Sequence, residues 1–257
     1  VTAMTALPMQ TALVIMLLGA ASWLLRGLRT WMLFDQLPLS EALGLSFLHN
    51  TANNLAPMRL GELALPMLAR WLGGVEFSVG LISLIGISLC IILLPVAGTV
   101  MLALLAALIF LTPLILGFIV PKTQHIQLPE ILAKARAQLI YEAQNGKRLH
   151  RMWRLTILAW LSKIMGMGVL LATLSGIPMT EVITTILGAE LSSILPIHGF
   201  AGAGSYEAGG ILGSAFMGLS PVVALEMTIQ LHIYVLSLTA VFGILGALLL
   251  LKRTIHG

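Results

Sequence analysis

The sequence is poor in charge, cysteine and aromatic residues. Of its 257 residues, 9% are charged, 6% are aromatic and 58% are hydrophobic. Soluble domains carry about 25% charged residues, so this composition excludes an ordinary soluble domain. The single cysteine, Cys90, excludes an intrachain disulfide. Residues 77–120 contain no charged side chain, and a stretch of that length crosses a hydrocarbon core of about 30 Å twice.

Motifs of several common chemistries are also missing. The sequence has no HExxH, CxxC or GK[ST] motif, and its six histidines are dispersed. The glycines at 199, 202 and 204 follow no βα unit, so a nucleotide-binding loop is not predicted. We therefore expect no metal site, no cofactor, no nucleic-acid partner and no catalytic triad, and a transporter is favoured over an enzyme.

Long apolar segments make up most of the chain. They predict an all-α polytopic membrane protein in which residues 1–257 form a single transmembrane domain. The full spans are predicted at about 8–31, 77–98, 99–120, 152–175 and 221–251. Two further apolar pairs, 40–72 and 180–218, are each interrupted by proline and glycine.

The basic residues indicate the orientation of these spans. Twelve of them fall on one side of the predicted layout: Arg26, Arg29, Arg70, Lys122, Lys134, Arg136, Lys147, Arg148, Arg151, Arg154, Lys252 and Arg253. The opposite loops, near 98, 176–179 and 219, carry none. By the positive-inside rule the basic side is cytoplasmic, so the end at residue 1 is external and the end at residue 257 cytoplasmic.

The two interrupted pairs share one design. Each opens with Ser or Thr followed by Glu (Ser40 and Thr180), continues as an apolar helix, and breaks at a proline, Pro57 or Pro196. Broken helices at matching places in two halves indicate a transporter with internal repeats. The repeats are predicted at about 40–98 and 180–251. The parity of the spans makes them inverted, with each broken pair predicted to be re-entrant.

The longest cytoplasmic segment, 121–151, is predicted to contain a helix that begins near Pro129 and ends near Gly146. Its apolar stripe beside basic residues is typical of a helix lying on anionic headgroups. An ordinary cytoplasmic connector with a solvated basic face is the alternative.

Polar residues at membrane depth are the candidate substrate-binding residues, because charges there are costly and mark pathways or sites. The candidates are Asn50, Asn53, Asn54, Arg59, Gly61, Glu62, Lys163, Glu190, Gly202, Gly204 and Glu207. Amide groups exposed where the return helices begin would attract an anion such as a phosphate. Structural alternatives exist: Arg59 and Glu62 would pair across a helical turn, Lys163 would extend toward the cytoplasm, and the asparagines would bond freed backbone groups.

The stretch from Asn53 to Glu62 reads N-x-x-x-P-x-R-x-G-E, and the stretch from Pro196 to Glu207 ends in G-x-G-x-x-E. Both stretches resemble signatures of the lysylphosphatidylglycerol synthase/flippase transmembrane family. The resemblance covers about residues 8–251. It implies a protein of a bacterial-type inner membrane that moves an anionic or aminoacylated lipid between leaflets, with Arg59, Glu62 and Glu207 in the motif roles.

The sequence thus predicts a flippase-like translocase of membrane phospholipid. The alternative is a proton-coupled secondary transporter of a small anionic solute, and the third possibility is a membrane enzyme acting on a lipid-linked substrate. Partners beyond the lipid would be further copies of the chain or a separate lipid-modifying enzyme.

Overall fold

The computed structural model describes residues 7–34, 36–57, 61, 67–68, 146–193 and 199–256. In these ranges the regular structure is entirely helical. The helices are α1 (Met9–Leu33), α2 (Leu39–Leu55), α3 (Gly146–Ser175), α4 (Met179–Ser192), α5 (Ser205–Ala215) and α6 (Pro221–His256), with a single turn of 3-10 helix at Phe200–Gly202. The predicted spans at 77–98 and 99–120 lie outside the described residues, as does the helix predicted within 121–151 up to Gly146. Gly146 was expected to end that helix, and α3 instead begins there.

Three of the helices are long and apolar enough to cross a membrane: α1, α3 and α6. They match the spans predicted at 8–31, 152–175 and 221–251. Helix α3 begins at Gly146, earlier than predicted, because the helix continues into a polar segment that hydropathy does not mark. By contrast, α4 and α5 measure only about 21 Å and 17 Å, which is shorter than a hydrocarbon core of about 30 Å.

The helices associate as antiparallel pairs. In the first pair, Arg29 near the end of α1 bonds to Thr156 near the start of α3, whereas Gly166 in the second half of α3 lies beside Leu18 of α1. Helix α2 runs antiparallel to α6 in the same way. Helices α4 and α5 form a hairpin.

Glycine permits the closest of these contacts. A Cβ atom on Gly213 would lie 2.2 Å from the Thr184 carbonyl oxygen, and one on Gly188 would lie 2.3 Å from the Gly209 carbonyl oxygen. Real Cβ atoms do not approach other atoms so closely, so the backbones of α4 and α5 touch only because these positions lack side chains. Small residues allow the same close approach between helices in membranes generally.

The two helices that open the predicted repeats begin alike. Pro38 precedes α2 with φ −60° and ψ 151°, and Pro178 precedes α4 with φ −56° and ψ 145°. Each helix carries an acidic residue in its first turn, Glu41 or Glu181, where the positive end of the helix dipole favours it. The two helices therefore begin with the same local structure.

Both helices also end before the predicted breaks. Helix α2 ends at Leu55, and its C-cap residue Ala56 is extended, with ψ 132°, as a residue before proline prefers. The helix therefore ends two residues before Pro57, whose ring cannot continue it. Helix α4 ends at Ser192, and Pro196 lies outside the described residues.

Apolar and aromatic side chains fill the interior between α1, α2 and α6. The ring of Trp23 stacks on Phe242 with centroids 4.9 Å apart, and Phe47 meets both rings edge-on. Large apolar side chains also cover much of the exterior of the three spanning helices. An apolar exterior is expected for helices that face lipid.

Candidate functional site

An arginine on α1 and an asparagine on α2 form the first part of the site. The Arg26 guanidinium donates a hydrogen bond of 3.2 Å to Asn50 Oδ1. The amide nitrogen of Asn50 donates to the Ser46 carbonyl oxygen at 2.7 Å, which turns Oδ1 toward the arginine. Among the described residues, no carboxylate lies within ion-pair distance of Arg26. The guanidinium therefore keeps donor capacity for another acceptor.

A lysine on α3 and a glutamate on α4 form the second part. Lys163 Nζ lies 2.5 Å from Glu190 Oε2, and both side chains are largely shielded, with 22% and 7% exposure. The Tyr206 hydroxyl, at the start of α5, donates to the other carboxylate oxygen of Glu190 at 3.1 Å. Both oxygens of the buried carboxylate are thus bonded. Lys163 does not simply extend toward the cytoplasm; it is held within the bundle by Glu190.

Trp160 joins the two parts. Its ring lies 5.3 Å from the Arg26 guanidinium carbon and 5.2 Å from Lys163 Nζ. Cation–π attraction of this kind contributes on the order of 0.5–2 kcal/mol per contact. Two cations that would otherwise repel each other are therefore held beside one aromatic ring.

Both cations face a polar cavity of about 40 Å³. Since one water needs on the order of 10–15 Å³ by this measure, the cavity has room for a few waters. Its lining includes Ser22, Arg26, Asn50, Asn54, Lys163 and Tyr234. Ser22 and Lys163 lie near the centres of the spanning segments Met9–Leu33 and His150–Ser175, so the cavity lies at about half their depth.

The two predicted repeats contribute equivalent positions to this site. Asn50 and Glu190 each lie twelve residues after the proline that precedes their helix, Pro38 or Pro178. In each repeat this residue accepts a hydrogen bond from a cation on the preceding long helix. Asn50 thus binds Arg26 and Glu190 binds Lys163, and both cations line the same cavity.

The second break, between α4 and α5, has an unusual backbone. Ala201 has φ 55°, and Gly202 and Gly204 have φ 76° and 85°. These are left-handed values that glycine adopts freely and alanine adopts only at a cost. The two predicted glycines therefore form the turn from which α5 begins.

Glu207 closes the start of α5. One of its carboxylate oxygens accepts the Gly204 backbone N–H at 2.7 Å, which is the arrangement of a capping glutamate. The N–H of Gly204 was expected to be open to a substrate anion, and it is instead bonded to a carboxylate of the chain itself. The other oxygen of Glu207 lies 2.5 Å from His232 Nδ1, and His232 Nε2 lies 2.7 Å from the Ala201 carbonyl oxygen.

The remaining asparagines have partners within the bundle. Asn54 donates to the Thr239 hydroxyl at 2.7 Å, and Asn53 lies 3.2 Å from the His49 ring. Asn54 also lines the cavity, whereas Asn53 does not. These bonds fix α2 internally and to α6 through side chains, and not through freed backbone groups as the structural alternative expected.

Part of the predicted first break lies outside the described residues, including Arg59 and Glu62. Gly61 is described and packs tightly on α2, since a Cβ atom there would lie 2.3 Å from the backbone of Ala52 and Asn53. Helix α2 also contacts the turn at Phe200–Gly202. The described parts of the two broken segments therefore approach each other.

Four residues of the candidate site were not predicted to belong to it: Arg26, Trp160, Tyr206 and His232. Arg26 was assigned to the cytoplasmic side with its neighbours, but the structure directs it into the bundle. Its position well inside the predicted span 8–31 was the available signal. The two aromatic residues and the histidine have no periodic signature, and only the fold places them beside the charged groups.

Comparison with known proteins identifies the family. Comparisons with curated proteins and with solved structures gave no match. The family model described as the lysylphosphatidylglycerol synthase TM region matches residues 1–243. This match covers nearly the whole chain, including every residue of the site described above. The chain is therefore a multi-pass membrane protein that belongs to the lysylphosphatidylglycerol synthase transmembrane family, and membership connects it with membrane lipids.

Proposed function

We propose that the protein is a flippase-like translocase that moves an anionic or aminoacylated phospholipid between leaflets. The observation that carries this proposal is the pair of cations, Arg26 and Lys163, that face one polar cavity at half the depth of two spanning segments. Charged groups at that depth are costly and are retained for pathways and sites. The headgroup phosphate would bind between the two cations while the acyl chains stay in the bilayer.

The charges of the site favour a singly charged anion. Arg26 and Lys163 contribute two positive charges and Glu190 one negative charge, which leaves one positive charge to be balanced. A phosphodiester carries one negative charge and offers more than one oxygen acceptor. A guanidinium is well suited to bind two such oxygens at once.

The short helices supply the proposed means of alternate exposure. Helices α4 and α5 are too short to cross the bilayer, so we propose that they form the re-entrant pair of the second repeat, opposite the re-entrant pair of the first. Inverted repeats of this kind open a central site to each face in turn. We further propose the orientation given by the basic residues, in a bacterial-type inner membrane.

The motif residues of the first break are proposed to act with this site. If Arg59 binds the phosphate, both Arg59→Lys and Arg59→Gln should insert and fold yet translocate lipid poorly, because neither retains the planar fork. If Arg59 only pairs with Glu62, exchanging the two residues should restore activity. Recovery in the exchanged variant would count against a substrate role for Arg59.

A small anionic solute is the second candidate substrate. The size of the cavity, about 40 Å³, favours it, because that space suits an ion or a few waters rather than a whole headgroup. A lipid substrate requires the cavity to open further, toward the bilayer. Transport of a soluble phosphate or carboxylate, with no movement of lipid, would favour this second candidate.

Translocation in proteoliposomes tests the proposal. The purified chain would be reconstituted with fluorescent lipids that differ only in headgroup, and loss of fluorescence to an external quencher would report leaflet exchange. We expect exchange of singly charged phosphodiester lipids. Arg26→Gln should reduce the rate by about tenfold or more, since charged hydrogen bonds contribute about 1.5–3 kcal/mol.

The matched control is Arg154→Gln, which removes a charge from an exposed position of α3. It should insert and translocate like the parent chain. Equal exchange rates in Arg26→Gln and Arg154→Gln would refute the proposed role of the cavity. Absence of exchange for every headgroup would refute the proposed function itself.

A further inference from the structure

The ring of His232 lies between two groups that accept hydrogen bonds. Its Nδ1 is 2.5 Å from Glu207 Oε1 and its Nε2 is 2.7 Å from the Ala201 carbonyl oxygen. A carbonyl oxygen only accepts, an ionised carboxylate only accepts, and a neutral imidazole carries a single N–H. A neutral histidine beside an ionised glutamate therefore cannot make both bonds.

The two bonds require one additional proton. Either His232 is an imidazolium that donates from both nitrogens, or Glu207 is protonated and donates to Nδ1 while Nε2–H donates to Ala201. Both forms contain the same number of protons. Glu207 cannot turn away to avoid the contact without losing the Gly204 N–H, which its second oxygen accepts at 2.7 Å.

We infer that His232 and Glu207 form a proton-binding site that holds the second break closed, and that release of the proton opens this break. The reaction is a simple transfer: an N–H or O–H bond of the pair breaks, the proton passes to water, and the electron pair stays on His232 or Glu207. The side chains are 11% and 17% exposed, so the site is shielded but still reaches the surface. The inference does not depend on which substrate the protein moves.

Loss of the proton destabilises the break through two contacts. If the neutral ring keeps its proton on Nε2, it still donates to the Ala201 carbonyl oxygen, but the lone pair of Nδ1 then faces the carboxylate of Glu207. If the proton is on Nδ1, the ring donates to Glu207 and the Ala201 carbonyl oxygen loses its donor. Ala201 has φ 55°, a strained conformation that persists only where surrounding contacts enforce it. Either outcome loosens the turn from which α5 begins.

The same helix start is bonded to the cation site. The Tyr206 ring lies against the His232 ring, tilted by 36° with centroids 4.8 Å apart, and its hydroxyl donates to Glu190, the partner of Lys163. Movement at the turn therefore reaches Glu190 through one side chain. Other titratable groups on the surrounding helices are Tyr206 on α5, Glu190 on α4, Lys163 on α3, Arg26 on α1 and His49 on α2.

The variant Glu207→Gln keeps the hydrogen bonds of the turn but removes the need for the additional proton. The glutamine oxygen accepts the Gly204 N–H, and its amide N–H donates to Nδ1 of a neutral His232, whose Nε2–H still donates to Ala201. All three bonds are retained without the additional proton. Glu226→Gln is the control, because Glu226 is an exposed carboxylate on the same helix as His232.

Hydrogen–deuterium exchange of the peptide 199–215 across a pH series tests the inference without any transport assay. Exchange is expressed as protection factors, which removes the intrinsic effect of pH. The closed break binds one proton more than the open one. The equilibrium constant for opening should therefore rise by up to about tenfold per pH unit over the range in which the proton is lost. Glu226→Gln should behave like the parent chain, and Glu207→Gln should stay protected at every pH.

Nitrogen NMR of the histidine rings completes the test, with His232 assigned by its loss in His232→Gln. The spectra would be recorded at a pH where the peptide is protected. Two protonated ring nitrogens would support the inference, and so would a neutral ring whose Nδ1 accepts a hydrogen bond from protonated Glu207. A neutral ring beside an ionised carboxylate at that pH would overturn it, as would equal pH dependence in the parent chain and Glu207→Gln. These results are independent of lipid exchange, so the proposed function can fail while the proton site stands, and the reverse.

Discussion

Neutralising the ion pair of Lys163 and Glu190 should separate its contribution to stability from its contribution to transport. Lys163→Met leaves the Glu190 carboxylate in the bundle with the Tyr206 hydroxyl as its remaining partner. Glu190→Gln leaves the lysine charge without its carboxylate. The double variant removes both charges, and the glutamine oxygen still accepts the hydrogen bond of Tyr206.

The expected magnitudes follow from burial. Removing one partner of a buried pair costs on the order of 3–5 kcal/mol, because the other charge is left uncompensated. Lys163→Met should fall in this range, since the Glu190 side chain is only 7% exposed. Glu190→Gln should cost less, because the Lys163 side chain is 22% exposed and lines a cavity that admits water. The double variant should recover to within about 1 kcal/mol of the parent chain, as neutral replacements of buried pairs often do.

The free energy of unfolding in detergent micelles and lipid exchange in proteoliposomes would be measured on the same four proteins. We expect the double variant to be stable and yet to translocate poorly, because the cavity has lost one of its two cations. If the double variant loses as much free energy of unfolding as the two single variants together, Lys163 and Glu190 are not coupled. A double variant with the exchange rate of the parent chain would remove Lys163 from the substrate site.

Three further predictions address topology, packing and the aromatic ring. Cysteines introduced at Lys147 and Ile177 should react with impermeant reagents from opposite sides of the membrane, and labelling from one side would contradict the inverted arrangement. Gly213→Leu should lower the free energy of unfolding by about 1–3 kcal/mol or more, because its side chain meets the backbone of α4, whereas Ala208→Leu, at an exposed position of α5, should be tolerated. Trp160→Leu keeps both cations but removes the aromatic ring beside them. Each lost cation–π contact of about 1 kcal/mol should lower the affinity for the headgroup about fivefold or more. Unchanged affinity in a binding assay would contradict a role of Trp160 in holding the two cations.

Helix positions were predictable because hydrophobic length and proline carry most of that information. The spans at 8–31 and 221–251 correspond closely to Met9–Leu33 and Pro221–His256. The predicted start of α3, at about residue 152, was too late, because the helix extends back to Gly146 through a polar stretch that leaves no hydropathy signal. The stop before Pro57 followed directly from the stereochemistry of proline.

The candidate site was predictable only in part. Lys163 and Glu190 were identified because charges inside apolar segments are costly, and the structure shows that they neutralise each other. Arg26 was missed because counting basic residues near a helix end does not reveal which way each side chain points. His232 was missed for a different reason: its partners Glu207 and Ala201 lie far away in sequence, and only the packing of α5 on α6 brings them to the ring.

The glycine contacts between α4 and α5 have a mechanical consequence. Because the two backbones touch at Gly188, Gly209 and Gly213, no layer of side chains separates them, and a shift of one helix carries the other with it. Glu190 and Tyr206 both lie on this hairpin, so their bond travels intact, whereas Lys163 belongs to α3. The ion pair of Glu190 with Lys163 therefore joins the hairpin as a unit to α3, just as the contact of Glu207 with His232 joins it to α6.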